Sequence, residues 1–419
     1  MVRYNNCPAP GTLSHEWREH MPSCTSRSIQ HPTTIWLATL FIALATLTPL
    51  ASAGDLNPPA GPIQPTGPVL FNNQSISLPF TISQPGTYIL TSGFQGIAVS
   101  NGITISSSNV TLDLGGYEII GVPGSLSGIT SFGTVENIEI RNGIVRSWAG
   151  NGIDIAQAKN SRIIGVRAFN NTGIGILVGP GSHIKDCVAT MNQNDGFFAG
   201  NGSIVTDCTA YLNFDDGFTS NPGVTFRGTS SSLNNSAGYR VLSGCTFLGC
   251  AAFQNANSGF VTAEANSLTS CTAQFNGSNG FNTGVDCKIE GCVSYDNALN
   301  GFNSDNEALI IHCIASRNQA DGILVQRDSY VFGNLCDNNG FSATMASGIH
   351  AMFEGNRIDS NNCTDNDMGI EVDRAGNIIV RNSASKSQVF LNFVIVPGND
   401  VGPIGSAATA TSPWANFEF

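Results

Sequence analysis

Three aspartates lie near one another in the middle of the chain, at Asp195, Asp215 and Asp216. Asp195 and Asp216 are 21 residues apart. If 21-residue units stack as neighbouring strands do, their carboxylates lie roughly 4.8 Å apart. Retaining glycosidases hold their two carboxyl groups at a similar separation, about 5 Å. Phe198 and Phe214 accompany the set as candidate exposed aromatics, so the group predicts acid–base chemistry on a bound glycan.

The same aspartates also have a structural interpretation, in which they only form turns. Asp195 and Asp216 each precede a glycine, and the next two residues at 21-residue steps from Asp216 are Ala237 and Ser258. Aspartate before glycine is typical of tight turns. Both interpretations stay open at the level of sequence.

The elements that position these residues are indicated by a 21-residue period. Its clearest marker is the series Gly175, Gly196, Gly217, Gly238, Gly259, Gly280, Gly301 and Gly322. Each glycine precedes a large apolar residue, and a small or β-branched residue follows two positions later, as in a strand with one buried face. Only a parallel coil of short strands stacks like on like at every repeat, so the pattern predicts an all-β solenoid with about 21 residues per coil.

Two further columns share this period. Most members of the first are cysteines: Cys187, Cys208, Cys250, Cys271, Cys292 and Cys313. The cysteines either act as small buried apolar residues or pair between coils as disulfides, and no spacing typical of zinc is present. The second column is asparagine, from Asn171 to Asn318, which suits turns and predicts amide hydrogen bonds between coils.

The repeating Asn-x-x-x-Gly-Phe/Ile motif, as in residues 192–197 and 213–218, resembles the pectin-lyase-like right-handed parallel β-helix superfamily. The segments 101–105 and 109–114 resemble the entry coils of bacterial NosD-like and carbohydrate-binding or sugar-hydrolase members. The resemblance covers about 300 residues. It implies a single-stranded right-handed β-helix, but this superfamily mixes lyases, hydrolases, adhesins and proteins without known activity.

The resemblance implies two kinds of active site. The hydrolases of the group suggest the aspartate set together with Gly-His-Gly and Arg-x-Lys motifs, and neither motif occurs here. The lyases suggest a calcium-binding acidic cluster and an arginine base on one groove. Arg162 and His183, 21 residues apart, are the candidates for that outer face. Calcium is the cofactor expected only if the protein is a lyase, and no site residue is assigned to a metal.

The charge of the chain bears on its partners. The formal net charge is −12, and charged residues make up only 11% of the sequence. Such a surface repels nucleic acid and anionic membranes, so neither is an expected partner. A polysaccharide is the expected partner, and the exposed strand edges at the two ends of a solenoid also permit oligomers.

The N-terminal region predicts export. The apolar run 35–48 is followed by Ala51-Ser52-Ala53, which is typical of a cleaved signal peptide. Met21 is a possible true start, and a retained anchor is the alternative to cleavage. We therefore expect a secreted, periplasmic or cell-surface protein. The expected divisions are a signal region 1–53, a proline-rich linker 54–68, capping strands 69–96, β-helix repeats 97–385, and a C-terminal cap with a flexible tail 386–419.

Two functions fit these observations. The first is a secreted β-helix that binds or processes polysaccharide along one outer face. The second is a non-catalytic structural or adhesive surface protein. A groove in which aromatics and carboxylates converge favours the first, whereas flat Asn, Ser and Thr faces favour the second.

Overall fold

The computed structural model describes residues 67–340, 345–387 and 391–419. The predicted signal region and most of the proline-rich linker lie outside these residues. The described part of the chain forms parallel strands in one 30-stranded and one 15-stranded sheet. Each coil contributes three short strands, so the chain is a right-handed parallel β-helix with about 21 residues per coil, as the sequence predicts. Among the described residues, no helix is long and apolar enough to cross a membrane.

The strands form three faces, which we call face 1, face 2 and face 3 in the order in which each coil visits them. Face 1 contains Val69–Phe71, Gly86–Leu90, Val110–Asp113, Ile138–Arg146, Arg162–Phe169, His183–Lys185, Ile204–Thr206, Thr225–Arg227, Thr246–Leu248, Ser267–Thr269, Lys288–Glu290, Leu309–Ile311, Tyr330–Phe332, Arg357–Asp359, Ile378–Val380 and Asp400–Val401. Face 2 contains Phe94–Gln95, Glu118–Ile120, Val188–Thr190, Thr209–Tyr211, Ser230–Ser232, Ala251–Phe253, Thr272–Gln274, Val293–Tyr295, Ile314–Ser316, Leu335–Asp337, Asn362–Thr364, Ser383–Ser385, Ile404–Gly405 and Asn416–Glu418. The C-terminal parts of Ile138–Arg146 and Arg162–Phe169 also belong to face 2. Face 3 is the 15-stranded sheet: Phe80–Ile82, Ile103–Ile105, Ile129–Ser131, Ile153–Ile155, Ile176–Val178, Phe197–Ala199, Phe218–Ser220, Tyr239–Val241, Phe260–Thr262, Phe281–Thr283, Phe302–Ser304, Ile323–Val325, Ser347–Ala351, Met368–Val372 and Phe393–Ile395.

The glycine column allows neighbouring coils to approach closely where face 3 begins. A Cβ atom on Gly196 would lie 2.7 Å from the Gly217 carbonyl oxygen and 2.8 Å from the Asn213 amide nitrogen. Neither contact leaves room for a side chain. These glycines are therefore required for space between coils, and their φ angles are not in the left-handed region.

Large aromatic side chains stack along the interior behind face 3. Phe197, Phe218, Tyr239, Phe260, Phe281 and Phe302 are buried, with successive ring centroids 4.7–5.0 Å apart and nearly parallel planes. Phe226 and Phe247 pack edge-on against this stack. Residues separated by 21 positions therefore lie directly above one another and share one core.

All ten cysteines of the described residues are free and buried. Their thiols donate to nearby carbonyls, as from Cys187 to Lys185 and from Cys313 to Ile311. Burial raises the pKa of the Cys208 thiol well above its usual value. The cysteines act as small buried residues with weak donors, and none of those in the described residues forms a disulfide.

The asparagine column forms the predicted ladder. The Asn192 amide donates to Asn213 Oδ1, and Asn213 donates to Asn234 Oδ1, each at 3.0 Å. The left-handed residue of this turn is the one before the asparagine, such as Met191 with φ 51°. The ladder asparagine therefore satisfies buried backbone and amide groups and does not supply the unusual dihedral.

The stack extends beyond 97–385 in both directions. Val69–Phe71 pairs in parallel with Gly86–Leu90, and Phe80–Ile82 pairs with Ile103–Ile105, so residues 69–96 form coil structure of their own. At the other end, Phe393–Ile395 joins face 3. The predicted C-terminal cap and tail, 386–419, lie partly outside the described residues. Asn416–Glu418 pairs with Ser383–Ser385, so the predicted flexible tail ends in an ordered strand.

Candidate functional site

In several coils, the residue before the glycine of the column uses a side-chain oxygen to bond the next coil on the outer edge of face 3. Asp195 Oδ1 accepts from the Asp216 backbone N–H at 3.2 Å, and Asp216 Oδ1 accepts from the Ala237 N–H at 2.7 Å. Asn279 and Asn300 make the same bond to the coils above them. One side-chain oxygen at this position therefore holds the turn, as the turn interpretation expects. An aspartate has a second carboxylate oxygen that is free for another contact, whereas an asparagine does not.

At Asp195 and Asp216 that second oxygen binds an outward side chain of face 3. Thr219 Oγ1 donates to Asp195 Oδ2 at 2.7 Å, and Arg240 Nε donates to Asp216 Oδ2 at 2.6 Å. Carboxylate oxygens of Asp195, Asp215 and Asp216 lie within 4.8 Å of one another. The structure therefore brings the three sequence-predicted aspartates together, with Asp216 held in an ion pair.

The Asp195 carboxyl has an unusual proton affinity. Burial raises its pKa, the Thr219 hydrogen bond lowers it, and the charges of Asp216 and Asp215 raise it further, to about 6. A carboxyl group with this pKa can hold or release a proton near neutral pH. Of the two aromatics predicted beside it, Phe214 is 62% exposed. Phe198 is half-buried rather than exposed, because it packs within the outward row of face 3.

Arg162 and His183 stack as predicted but belong to another part of the surface. They are paired in register on face 1. Arg162 forms an ion pair with Glu139, and His183 Nε2 lies 3.0 Å from the Thr206 hydroxyl. Among the described residues, neither forms a hydrogen bond or ion pair with the three aspartates. The lyase prediction requires Arg162 and His183 to lie on one groove with the three aspartates. These contacts do not bring the two sets together.

A second group of charged side chains lies on the outward side of face 3, around His350. Its Nδ1 is 3.2 Å from Asp321 Oδ2 and 3.8 Å from Glu371 Oε2, and its Nε2 is 3.1 Å from Asp373 Oδ2. The Ser347 hydroxyl donates to Glu371 at 2.7 Å. Both ring nitrogens of one histidine therefore face carboxylates supplied by the coils before and after its own.

This arrangement stabilises the protonated imidazole. Burial lowers the pKa of His350, but the hydrogen bond and charge of Asp321, the charge of Glu371 and the hydrogen bond of Asp373 outweigh it and raise the pKa to about 9. The His350 side chain is 18% exposed and that of Asp373 is 44% exposed. At neutral pH the group is an imidazolium that remains accessible from the outer surface.

Comparisons with solved structures show the same architecture in other proteins. The mannuronan C-5 epimerase AlgE4 A-module of Azotobacter vinelandii matches with 19% identity and a TM-score of 0.52, covering 70% of this chain and 90% of that one. A Streptomyces thermodiastaticus GH87 α-1,3-glucanase catalytic unit matches with 12% identity, 78% and 64% coverage and a TM-score of 0.42. The pectate lyase Pel9A matches with 16% identity, 79% and 76% coverage and a TM-score of 0.31. No protein-family model and no curated protein matches the sequence.

The chain has the parallel β-helix fold that the epimerase module also has. The agreement with the epimerase module supports the fold alone, because the sequence identity is low. Within this β-helix, face 3 carries both charged groups on its outward side. The Asp195 and His350 groups are seven strands apart along face 3, or about 34 Å at the usual strand spacing.

Sequence reasoning missed the His350 group because an insertion hides its spacing. Within regular coils, the residue before the glycine binds the outward residue 24 positions later, as Asp195 binds Thr219. Between Asp321 and His350 the separation is 29, since Gly322 and Gly348 are 26 residues apart. Allowing for those five extra residues places His350 in register with Leu324. The longer step between Gly322 and Gly348 in the glycine column could therefore have led to His350.

The residues present fit calcium only in part. Asp195, Asp215 and Asp216 offer the carboxylate oxygens that calcium prefers. The Arg240 guanidinium, however, occupies Asp216 Oδ2 and repels a cation at that position. His350, Glu371 and Asp373 also bring potential ligand atoms within 4.8 Å of one another. In this second group, the protonated His350 imidazole already balances the negative charge of the carboxylates, so they need no metal ion for that purpose.

Proposed function

We propose that this protein processes a polysaccharide that lies along the outward side of face 3, with His350 as the proton donor. The observation that carries the proposal is the contact of both His350 nitrogens with carboxylates on an accessible surface. Clustered groups with strongly shifted pKa values are typical of catalytic sites. The structural similarity to a mannuronan C-5 epimerase module supports the choice of a glycan substrate.

The roles of the side chains follow from their contacts. The His350 imidazolium donates a proton to an oxygen atom of the bound glycan. Asp321, which is bonded to both His350 and the Ser347 backbone N–H, fixes the orientation of the ring. Asp373 is the most exposed carboxylate of the group and is placed to accept a proton from the substrate. Glu371 is held by Ser347 and maintains the negative charge that keeps His350 protonated.

The Asp195 group is the second candidate centre on the same face. Asp195, with its pKa of about 6, is available for proton transfer, and Phe214 offers an exposed ring nearby. We place it as a further contact for the same extended chain, with Asp215 and Asp216. Calcium enters this proposal only if the reaction is an elimination on a polyuronate.

Export belongs to the same proposal, because the N-terminal region has the pattern of a signal peptide. The apolar run 35–48 and the Ala51-Ser52-Ala53 sequence support cleavage before Gly54. Determination of the N-terminal residue of the mature protein tests this point. A mature chain that still begins before residue 35 contradicts it.

The test is an activity screen of the full chain on polygalacturonate, alginate and neutral glucans, with and without calcium. Unsaturated products, new reducing ends and changes in sugar configuration are measured separately, because each identifies one reaction class. We expect turnover of at least one polymer. His350→Gln should lower kcat by about 100-fold or more, the usual contribution of a general acid.

The matched control is His312→Asn, which changes an exposed histidine away from face 3 in a turn that suits asparagine. It should keep the wild-type rate. Equal rates for the wild type and His350→Gln contradict the assignment of His350. Loss of turnover only in Asp195→Asn/Asp216→Asn moves the centre to the Asp195 group.

A non-catalytic adhesive role is the second candidate function. It is favoured by the middle of face 3, where the outward side chains are uncharged. There the Asn303 amide donates to Asn282 Oδ1 at 2.7 Å. This role predicts glycan binding without chemical change of the polymer. Binding by both the wild type and His350→Gln, with no product from either, supports it over the enzyme.

A further inference from the structure

Face 2 carries an outward row in which aromatic and smaller residues alternate from coil to coil. The aromatic members are separated by 42 residues, which is two coils: Phe169, Tyr211, Phe253 and Tyr295. The strand register places Thr190, Ser232 and Gln274 between them. Tyr211 and Phe253 are each 39% exposed. We call these four aromatic residues the aromatic track.

The spacing of the track is that of an extended sugar chain. Two strand spacings amount to about 10 Å. A disaccharide unit of an extended β-linked pyranose chain advances by a similar distance, so every second sugar would meet an aromatic ring. The intervening hydroxyl and amide side chains stand where the sugar hydroxyls between those rings would lie.

Exposed apolar residues border the track at left-handed turn positions. Met191, Leu212, Leu233 and Phe275 all have positive φ and are 38–46% exposed. Asparagine, aspartate or glycine is better suited to such a position, and Asn338 occupies the equivalent turn of a later coil. Neither backbone preference nor solubility explains large apolar side chains here, which points to contact with a ligand.

One of these residues makes the track continuous. The Phe275 ring packs edge-on between Phe253 and Tyr295, with centroid distances of 5.7 and 5.5 Å. At the other end, a depression of about 450 Å³ is lined by Arg167, Phe169, Val188, Thr190 and Met191. The Thr190 hydroxyl oxygen is buried beneath this depression and forms no hydrogen bond within the described residues.

The track is also free of charge, although the chain is acidic. The outward residues of face 2 between Val188 and Ser316 include no ionisable carboxylate or base. Charge appears only at the ends. At one end, Arg146 lies 5.8 Å from the Phe169 ring centroid and Arg167 lines the depression. At the other end, Arg317 lies 5.9 Å from the Tyr295 ring centroid and forms an ion pair with Asp296. A polymer recognised through ring stacking and hydroxyl groups suits this surface better than a strongly charged one.

We propose that the aromatic track binds an extended β-linked pyranose chain that runs parallel to the solenoid axis. The sugar rings stack on Phe169, Tyr211, Phe253 and Tyr295, and the polar side chains between them bind sugar hydroxyls. The inference extends the proposed function, since a polymer held on face 2 is kept close to the groups on face 3. It does not depend on which of those groups reacts.

The experiment measures binding of the full chain to β-1,4-linked glucose and mannose hexasaccharides by calorimetry, with an α-1,4-linked glucose hexasaccharide as comparator. Tyr211→Ala/Phe253→Ala should weaken binding of the preferred β-linked probe by about tenfold or more, which corresponds to about 1.4 kcal/mol. The matched control Ser232→Ala/Gln274→Ala changes the intervening residues and leaves the rings in place, so it should weaken binding less. Tyr211→Phe keeps the ring and should retain wild-type affinity.

The outcomes separate this inference from the proposed function. Track variants that bind as tightly as the wild type, or a wild type that binds none of the probes, overturn the track. The track is also overturned if the double variant converts a dimer into a monomer, because a second copy is then its occupant. His350→Gln, which lies on another face, should bind the hexasaccharide normally. Loss of turnover in His350→Gln without any effect of the track variants therefore rejects the track alone.

Discussion

At the scale of single residues, Tyr239 and Thr229 are a coupled exception in two columns. Tyr239 stands where its neighbours are phenylalanine, and Thr229 stands where most neighbours are cysteine. Tyr239 is fully buried, and its hydroxyl donates to the Thr229 carbonyl oxygen at 2.9 Å while the Thr229 hydroxyl lies 3.0 Å away. A buried hydroxyl needs such partners, so the two exceptions in the sequence have one cause.

Tyr239→Phe should lower the free energy of unfolding by about 1 kcal/mol, because the buried Thr229 loses one hydrogen-bond partner while its hydroxyl still donates to Cys250. Adding Thr229→Cys recreates the pair found in neighbouring coils and should recover part of that loss. Chemical denaturation of the wild type, both single variants and the double variant measures the coupling. Strictly additive effects contradict the idea that the two residues depend on each other.

At the scale of elements, the asparagine ladder connects the turns between face 2 and face 3. Asn255 accepts from both the backbone and the amide of Asn234, and donates to Ser231 and Asn276. Four groups in two neighbouring coils thus depend on one buried side chain. Gln254, the residue before Asn255, is in the left-handed region, and the ladder holds the turn in this conformation.

Asn255→Ala should destabilise the protein by about 2–3 kcal/mol, because it leaves buried donors and an acceptor without partners. Asn257→Ala, in the same turn but exposed, is the control and should change stability by about 0.5 kcal/mol or less. Thermal and urea unfolding of the two variants give the comparison. Equal effects at both positions mean that the ladder contributes nothing beyond an ordinary exposed turn residue.

The sequence determined much of the fold and little of the site. Equal 21-residue steps in glycine, aromatic, cysteine and asparagine positions permit only stacked coils, so the core could be predicted before the structure. The Asp195 group was also found, because Asp195 and Asp216 obey the same period. His350 was not found, since its partners Asp321, Glu371 and Asp373 are 29, 21 and 23 residues away and an insertion separates them. The track was overlooked because its period spans two coils.

At the scale of the whole molecule, each coil packs only against the coils before and after it. The consistent register along all three faces means that one complete coil is a removable unit. Residues 250–270 are one such unit, since Gly249 and Ser270 occupy equivalent left-handed turns between face 1 and face 2.

Deletion of residues 250–270 should therefore leave a folded β-helix that is shorter by about 4.8 Å along its axis. Deletion of residues 250–260, about half a coil, should prevent cooperative folding because it moves buried residues to the outside. Circular dichroism and small-angle X-ray scattering distinguish the two results. Similar behaviour of both deletions contradicts a core built from stacked coils.

The central functional claim is that protonated His350, held by three carboxylates on face 3, donates a proton to a bound polysaccharide. Its raised pKa of about 9 means that the donor is present below that pH and is lost as pH rises through it. The most direct test is the pH dependence of wild-type kcat/KM on the best polymer, with circular dichroism confirming the fold at each pH. We predict a fall in kcat/KM as pH passes about 9. A value of kcat/KM that stays level or rises up to about pH 10, in a protein that remains folded, contradicts the claim.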